Sequence, residues 1–413
     1  MTIIWLISPV SSLIVIIGLL LNNRFNIGQL NYMTFLISLT FGVVAYTQNG
    51  FGGTLDETDI VRYYNYYYKI SKYSLDDFVE IQLLSNPNIF FDVINFLLTR
   101  ISPNNAQVFS LFWITLIYFI SSKAILKLLD LYALAINYKT KIILLLFGIF
   151  SLLSFSYILD LVKQSASIAI FFYCIVTSLE GRKIQGYFLL LIAVLIHSST
   201  LILMPIFFLI GNKNKTVILI ITIIFYGILY FVGDSYLGKI FLGLLDGQYT
   251  ASVLENILKY DDMNNVNGWN NIHIIQYIVI VFLFIFQFLL FIKLKKIDFN
   301  NLKNKNLLIV SFFSFLVLIA TSINTHTFLR FLNTFSLFFI LPVISKLINQ
   351  KKIPVLRQPL ILGYILYMTF FSWFYFNLRV IDGARSYGIT LLNDDFLEIF
   401  VTSVFGFLNH SIS

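Results

Sequence analysis

Uncharged apolar stretches close to the ~20 residues that an α-helix needs to cross a bilayer recur along this chain from end to end, and they leave few folds open to it. They fall near 3–21, 31–48, 106–122, 142–159, 164–179, 187–210, 216–232, 274–292, 307–323, 328–345 and 360–377, cut by charged or Pro/Gly/Asn-rich breaks. Charged residues make up 12% of the 413 positions and apolar ones 58%, with a mean hydropathy of +0.85. Soluble domains carry about 25% charged residues, so the chain reads as an all-α polytopic membrane protein. The first run has no basic N-terminal flank and no small-residue cleavage site before Arg24, and is read as a retained segment. One cysteine, Cys174, excludes a disulfide framework and a multi-cysteine metal site. His197, His273, His326 and His410 are too widely spaced for a zinc site, so neither metal nor cofactor is expected.

Charge placement sets the expected topology. If all eleven runs span, Arg182/Lys183 and Lys213/Lys215 flank the same segment and cannot both be cytoplasmic, against the tendency of Lys and Arg to stay inside. Segment 187–210 also carries His197-Ser198-Ser199 near its midpoint and Pro205 beyond, polar and helix-breaking features tolerated at membrane depth where protein or water surrounds them. It is read as a re-entrant hairpin; the alternative is one spanning helix with a polar kink. With the hairpin, about ten helices span and the N-terminus is external. Eighteen of the 28 Lys and Arg residues then lie in inside loops and 17 of the 20 Asp and Glu residues outside. The net charge of +8 is thus topology, and no nucleic-acid surface is required.

The chain reads as a single integral membrane domain, 1–413, with three long external segments at 49–105, 233–273 and 378–413. Segment 88–100 is apolar at helical spacing but only 13 residues long, which suits an interfacial helix, and 396–408 is a second such helix or a short last span. The first external segment contains Gly50-Phe51-Gly52-Gly53 and then Asp56-Glu57-Thr58-Asp59 leading into Arg62-Tyr63-Tyr64-Asn65-Tyr66-Tyr67-Tyr68. On a helix Asp59 and Arg62 share a face beside a ridge of Tyr63, Tyr66 and Tyr67. Acid, base and aromatic faces together suit a sugar; the competing reading is an interfacial tyrosine belt with a solvated ion pair.

Lys163-Gln164 lies where two apolar runs meet at the outer face, with Asp160 just before, and Arg330 opens the run 328–345 right after Asn324-Thr325-His326. Ionisable groups at such places are costly and tend to face a cavity, unless they snorkel to headgroups. Lys163 and Arg330, with Arg379 and Arg385, would make a pyrophosphate receptor. His197 is a cavity residue or a hydrogen-bonded packing residue.

Taken together these segments resemble the EpsG family of Wzy-type polysaccharide polymerases. The acid- and tyrosine-rich stretch 56–68 follows the second run. Lys163-Gln164-Ser165-Ala166-Ser167 is similar to the family's Arg-Gln-(Gly/Ala)-x-Ala helix start. Ala193-Val194-Leu195-Ile196-His197-Ser198-Ser199, with Pro205 downstream, matches its Ala-x-x-x-His-x-Ser break. Phe328-Leu329-Arg330-Phe331-Leu332-Asn333 resembles its late helix opening with arginine. The likeness covers roughly 40–345 and departs at Lys163, where arginine is usual, and at Asn86-Pro87-Asn88, which replaces a Glu-Pro-Gly-like element.

The resemblance implies a GT-C-like, metal-independent membrane glycosyltransferase of the bacterial inner membrane with an outward-facing site. It would transfer an undecaprenyl-pyrophosphate-linked glycan onto another lipid-linked repeat unit, with a chain-length-regulating co-polymerase as candidate partner. Lys163 and Arg330, with Arg379 and Arg385 behind them, would bind the departing pyrophosphate. Asp59 or His326 would take the acceptor proton beside Arg62, and Tyr63, Tyr67, Gln164 and His197 would line the glycan cavity. The rival classes are a lipid-linked-oligosaccharide flippase, expected to show internal pseudo-symmetry and short external loops, and a membrane O-acyltransferase using His197 or His326. A ligase would differ only in its acceptor.

Overall fold

The computed structural model describes residues 1–46, 59–83, 86, 88–132, 138–153 and 155–209, with isolated positions beyond. The five runs after 210, the external segments 233–273 and 378–413, the helix at 396–408, and His326, Arg330, Arg379 and Arg385 lie outside the described residues. Among the described residues every regular element is helical and there is no strand.

The first apolar run is two helices, α1 (Thr2–Ile7) and α2 (Pro9–Asn22), rather than one. Ser8 has extended backbone, its Oγ accepts from Ser11 N at 3.3 Å, and Pro9 occupies the first helical position, so the pair both ends α1 and starts α2. α3 (Ile27–Tyr46) and α7 (Gln107–Tyr132) are long and apolar enough to cross a membrane, as is α10 (Val162–Leu179). The run 142–159 is also broken: α8 (Tyr138–Phe147) passes into a π-helical turn at Gly148–Leu152, the backbone extends at Leu153, and α9 (Phe155–Asp160) follows.

α3 and α7 approach closely where Gly42 meets the Leu111 carbonyl. A Cβ at Gly42 would lie 2.0 Å from Thr115 Oγ1 and 2.8 Å from Leu111 O, and the second contact is with backbone that cannot rotate away. One residue before it, Phe41 stacks on Tyr118 with centroids 4.0 Å apart. Gly42→Val is therefore expected to destabilise the protein by roughly 1–3 kcal/mol. Melting of detergent-purified protein checks this, and an unchanged midpoint would show that the helices part without cost.

Between α3 and α7 the segment expected to be external folds into α4 (Asp59–Ser71), a capped turn α5 (Leu75–Asp77) running into a π-helical turn at Phe78–Leu83, and α6 (Ile89–Ile101). Arg100 of α6 ties α4 down, since its Nη2 donates to the carbonyls of Ile70 (3.2 Å), Ser71 (3.4 Å) and Tyr73 (2.8 Å). Cations at a helix C-terminus satisfy carbonyls that have no helical donor. Trp113 Nε1 of α7 donates to Asn95 Oδ1 of α6 at 2.8 Å, and Asn105 Nδ2 bonds the hydroxyl of Tyr46 at the end of α3. These shorter helices are thereby fastened to the ends of α3 and α7.

α10 is the central helix, buried along nearly its whole length between α7 and α11 (Lys183–Ile196). Its C-terminus turns sharply: Gly181 adopts φ +96°, Gly181 N donates to Ser178 O at 3.0 Å and Arg182 N to Thr177 O at 3.2 Å, a Schellman turn that needs glycine. Lys127 of α7 holds this end with a 2.7 Å ion pair to Glu180.

α11 then runs back along α10 and stops at His197, whose backbone is extended (φ −151°, ψ 114°). A 3₁₀ turn at Ser198–Leu203 and α12 (Met204–Phe208) follow, with Pro205 in the first turn of α12. The Phe207 ring meets Tyr187 edge-on, with centroids 5.1 Å apart. The chain has thus doubled back to the base of α11, as the polar break and Pro205 suggest, instead of continuing as one helix.

Candidate functional site

The end of α10 that carries Lys163 lies beneath α4 and α6. N-cap Leu161 contributes no side-chain hydrogen bond to the first turn of α10. Lys163 is the second residue of that helix and is half-buried. Its Nζ sits 5.3 Å from the ring centroid of Phe91 on α6 and 6.0 Å from that of Tyr63 on α4. An ammonium over aromatic faces gains about 0.5–2 kcal/mol, increasing as water is removed. Tyr63 is fixed in turn by stacking on Phe109 at 5.3 Å. The charges of Asp92 and Asp59 both act on Lys163, so this end of the bundle gathers Lys163 and two acids from three helices.

Asp92, in the first turn of α6, is 1% exposed. Tyr66 Oη donates to its Oδ1 at 2.6 Å, and Gln82 Nε2 donates to its Oδ2 at 3.2 Å. Burial pushes the Asp92 carboxyl upward from its ordinary value, while the Tyr66 and Gln82 hydrogen bonds and the Lys163 charge pull it back in part. The Tyr66 hydroxyl is pushed up as well, by burial first and then by the Asp92 charge and hydrogen bond. Gln82 reaches Asp92 because the turn at Phe78–Leu83 is π-helical, a departure from regular helix often found at functional sites. One turn further along α6, Asn95 Nδ2 is buried with no hydrogen-bond partner among the described residues.

Of the residues singled out from the sequence, Asp59, Arg62, Tyr63 and Lys163 come together here. Asp59 Oδ1 and Arg62 Nη2 are 2.6 Å apart across one helical turn, with the Arg62 side chain 60% exposed. Tyr67 is not at the site: it is fully buried against the core, its hydroxyl donates to Ser102 O at 2.9 Å, and burial pushes that hydroxyl up to about 12. Tyr66, the neighbouring member of the tyrosine ridge, reaches Asp92 instead. Gln164 is buried in the body of the bundle, 4% exposed.

His197 sits at the tip of the hairpin. The next residue joins it to the start of α6, since Ser198 N donates to Asn88 Oδ1 at 3.2 Å, and Thr200 Oγ1 lies 2.9 Å from Ser167 Oγ, one turn below Lys163. Asn88 is the N-cap of α6, so the same short helix begins at the hairpin tip and carries Phe91 and Asp92 to Lys163. Asp92, Gln82 and Phe91 were not among the expected site residues. The signal for Asp92 was that it is the one acid inside the apolar run 88–100.

This geometry defines a class: a helical membrane protein in which α4 and α6 fold over the end of a central apolar helix, α10, beside a charged, aromatic-lined site. The chain belongs to the EpsG family, whose family model matches residues 31–387 and so includes every candidate site position. No curated protein and no solved structure matches it.

Proposed function

We propose that the protein is a Wzy-type polymerase of the bacterial inner membrane, acting at the outer face. It transfers a glycan from undecaprenyl pyrophosphate to the non-reducing end of a second lipid-linked repeat unit. The observation that carries this reading is the Lys163 ammonium at the N-terminal end of α10, held over Phe91 and Tyr63. Membership of the EpsG family supports it. Cation and helix dipole together favour an anion, and a departing lipid pyrophosphate gains negative charge as the anomeric bond breaks. Arg330, with Arg379 and Arg385, supplies further cationic donors in this reading, and His326 and His197 border the cavity.

The Asp59–Arg62 pair suits the acceptor sugar, with one member to accept and one to donate hydrogen bonds to hydroxyls. Exposed ion pairs contribute only about 0–1 kcal/mol to stability, so removing the Asp59 charge leaves the fold intact. Asp59→Asn is expected to lower turnover about tenfold at unchanged protein level, in line with loss of one charge-assisted hydrogen bond. Tyr63→Phe keeps the ring and is mild, while Tyr63→Ala weakens sugar use. Turnover in vesicles at matched protein amounts checks both; a fully active Asp59→Asn enzyme removes Asp59 from the site.

The experiment that tests the function is deletion of the gene followed by analysis of the lipid-linked and surface glycans. Single repeat units delivered on the lipid carrier are the expected result. Absence of any repeat unit at the surface would assign the protein to transport or assembly instead.

A further inference from the structure

The acid that is most enclosed among the described side chains is neither of the sequence-derived candidates for the proton acceptor. Asp59 already has Arg62 Nη2 2.6 Å from its Oδ1. Asp92 is more deeply placed, and each of its oxygens is held by a neutral donor from a different element, Tyr66 from α4 and Gln82 from the π-helical turn. Lys163 from α10 is the charged group that acts on it. From α7, Trp113 reaches α6 through Asn95 and Phe91, and Phe109 packs on the same Phe91 ring; from the hairpin the Ser198 amide, next to His197, the titratable group at the tip, reaches Asn88. Burying a carboxylate is costly, and a fold that needed only a link between α4 and α6 already has Arg100 for the purpose. Tyr66 is half-buried and is the accessible member of the pair, whereas Asp92 is enclosed.

We propose that Asp92 is the proton acceptor for glycosyl transfer and that it works through the Tyr66 hydroxyl. The inference rests on the polymerase reading above. The acceptor hydroxyl oxygen forms the new bond to the anomeric carbon of the donor sugar, and the anomeric carbon–oxygen bond to pyrophosphate breaks, its electron pair leaving with the pyrophosphate. The acceptor proton passes to Tyr66 Oη as the tyrosine's own proton crosses the existing 2.6 Å hydrogen bond to Asp92 Oδ1. The phenol is thus restored, the proton ends on Asp92, and water removes it before the next cycle. Lys163 serves both partners, stabilising the Asp92 carboxylate before transfer and the pyrophosphate after it. Burial raises the proton affinity of Asp92 above that of an ordinary carboxylate, in the direction that a general base needs. The neutral Gln82 amide keeps Oδ2 occupied, so the carboxylate presents Oδ1 to the tyrosine.

The test uses the full-length protein in vesicles with lipid-linked repeat units extracted from a strain lacking the gene. Wild-type protein must first elongate them; if it does not, the polymerase reading fails and the proton-acceptor assignment falls with it. Given an active wild type, Asp92→Asn and Tyr66→Phe should each lower turnover by about 100-fold or more, the scale of lost general base catalysis. Retention of the lipid-linked unit should stay within about threefold of wild type, because this base acts on the transferring proton and not on binding. The double variant should be no slower than either single variant, since the two groups move one proton. Wild-type turnover should fall on acidification as Asp92 protonates, and that limb should vanish in Asp92→Asn but persist, displaced, in Asp92→Glu. A merely structural carboxylate would leave the limb in place. The proposal is overturned if Asp92→Asn keeps the wild-type pH profile, or if Tyr66→Phe turns over at the wild-type rate. Where Asp92→Asn fails to accumulate, Tyr66→Phe at normal protein level decides alone.

Discussion

Lys163→Ala is expected to cut polymer formation by at least about 100-fold, the scale on which removing one preorganised donor to a developing negative charge acts in hydrolases. Protein level in the membrane should change far less. The Phe91 and Tyr63 rings still pack on their neighbours without the ammonium, and what is lost is the positive end of the site. The vacated charge leaves Asp92 and Asp59 without the cation that acts on both. Any fall in protein level should therefore be relieved by adding Asp92→Asn, with activity still absent. Lys163→Arg should retain most activity, because it keeps the charge and adds a fork that fits phosphate oxygens. The measurement is chain-length analysis of surface glycan at matched protein amounts. Full-length polymer from Lys163→Ala would move the pyrophosphate receptor to Arg330, Arg379 and Arg385.

The second large effect is all-or-none. In a Cys174→Ser background, cysteines placed at Lys183 and Lys213 should both be dark to an impermeant thiol reagent added outside intact cells, and both should label once the membrane is opened. The reasoning is the doubling back of 183–208: α11 is 14 residues, about 21 Å at 1.5 Å per residue, too short for a ~30 Å hydrocarbon core. The Phe207–Tyr187 contact returns the chain to its starting level. External labelling of position 213 alone would make the segment a full crossing.

The main lines of the fold are legible from sequence because they rest on one-dimensional signals. α3, α7 and α10 follow from uninterrupted apolar length, the helix at Asp59–Ser71 and α6 from periodicity, and the doubling back from two basic flanks around a polar break. The split at Ser8-Pro9 carries a cap-plus-proline signature that hydropathy alone passes over. The break within 142–159 has no such mark, since Gly148 and Ser151 are common in membrane helices.

At the site, charge stranded in apolar sequence was enough to pick out Lys163, and i,i+3 spacing was enough for Asp59 and Arg62. Asp92 escaped because an acid in the first turn of an amphipathic helix has a sufficient reason to be there, the helix dipole. Its burial is created by α4 lying across α6, a contact between segments about 26 residues apart. Tyr67 turns into the core while Tyr66 keeps its place in the expected ridge, for a related reason. Adjacent helical residues point about 100° apart, and which of them meets the core depends on where Ser102 and Asp92 lie in three dimensions.

The hydrogen bond between Asn88 and the Ser198 amide couples two parts of the chain that are made at different times. Asn88 leaves the ribosome 110 residues ahead of Ser198 and must wait, with α6 begun but its N-cap side chain unengaged by the hairpin. The hairpin tip is therefore a late piece that completes an early one. Insertion of α11 is expected to be the event that turns a collection of inserted helices into an assembled site, so defects at the tip should appear first as slow maturation of the protein.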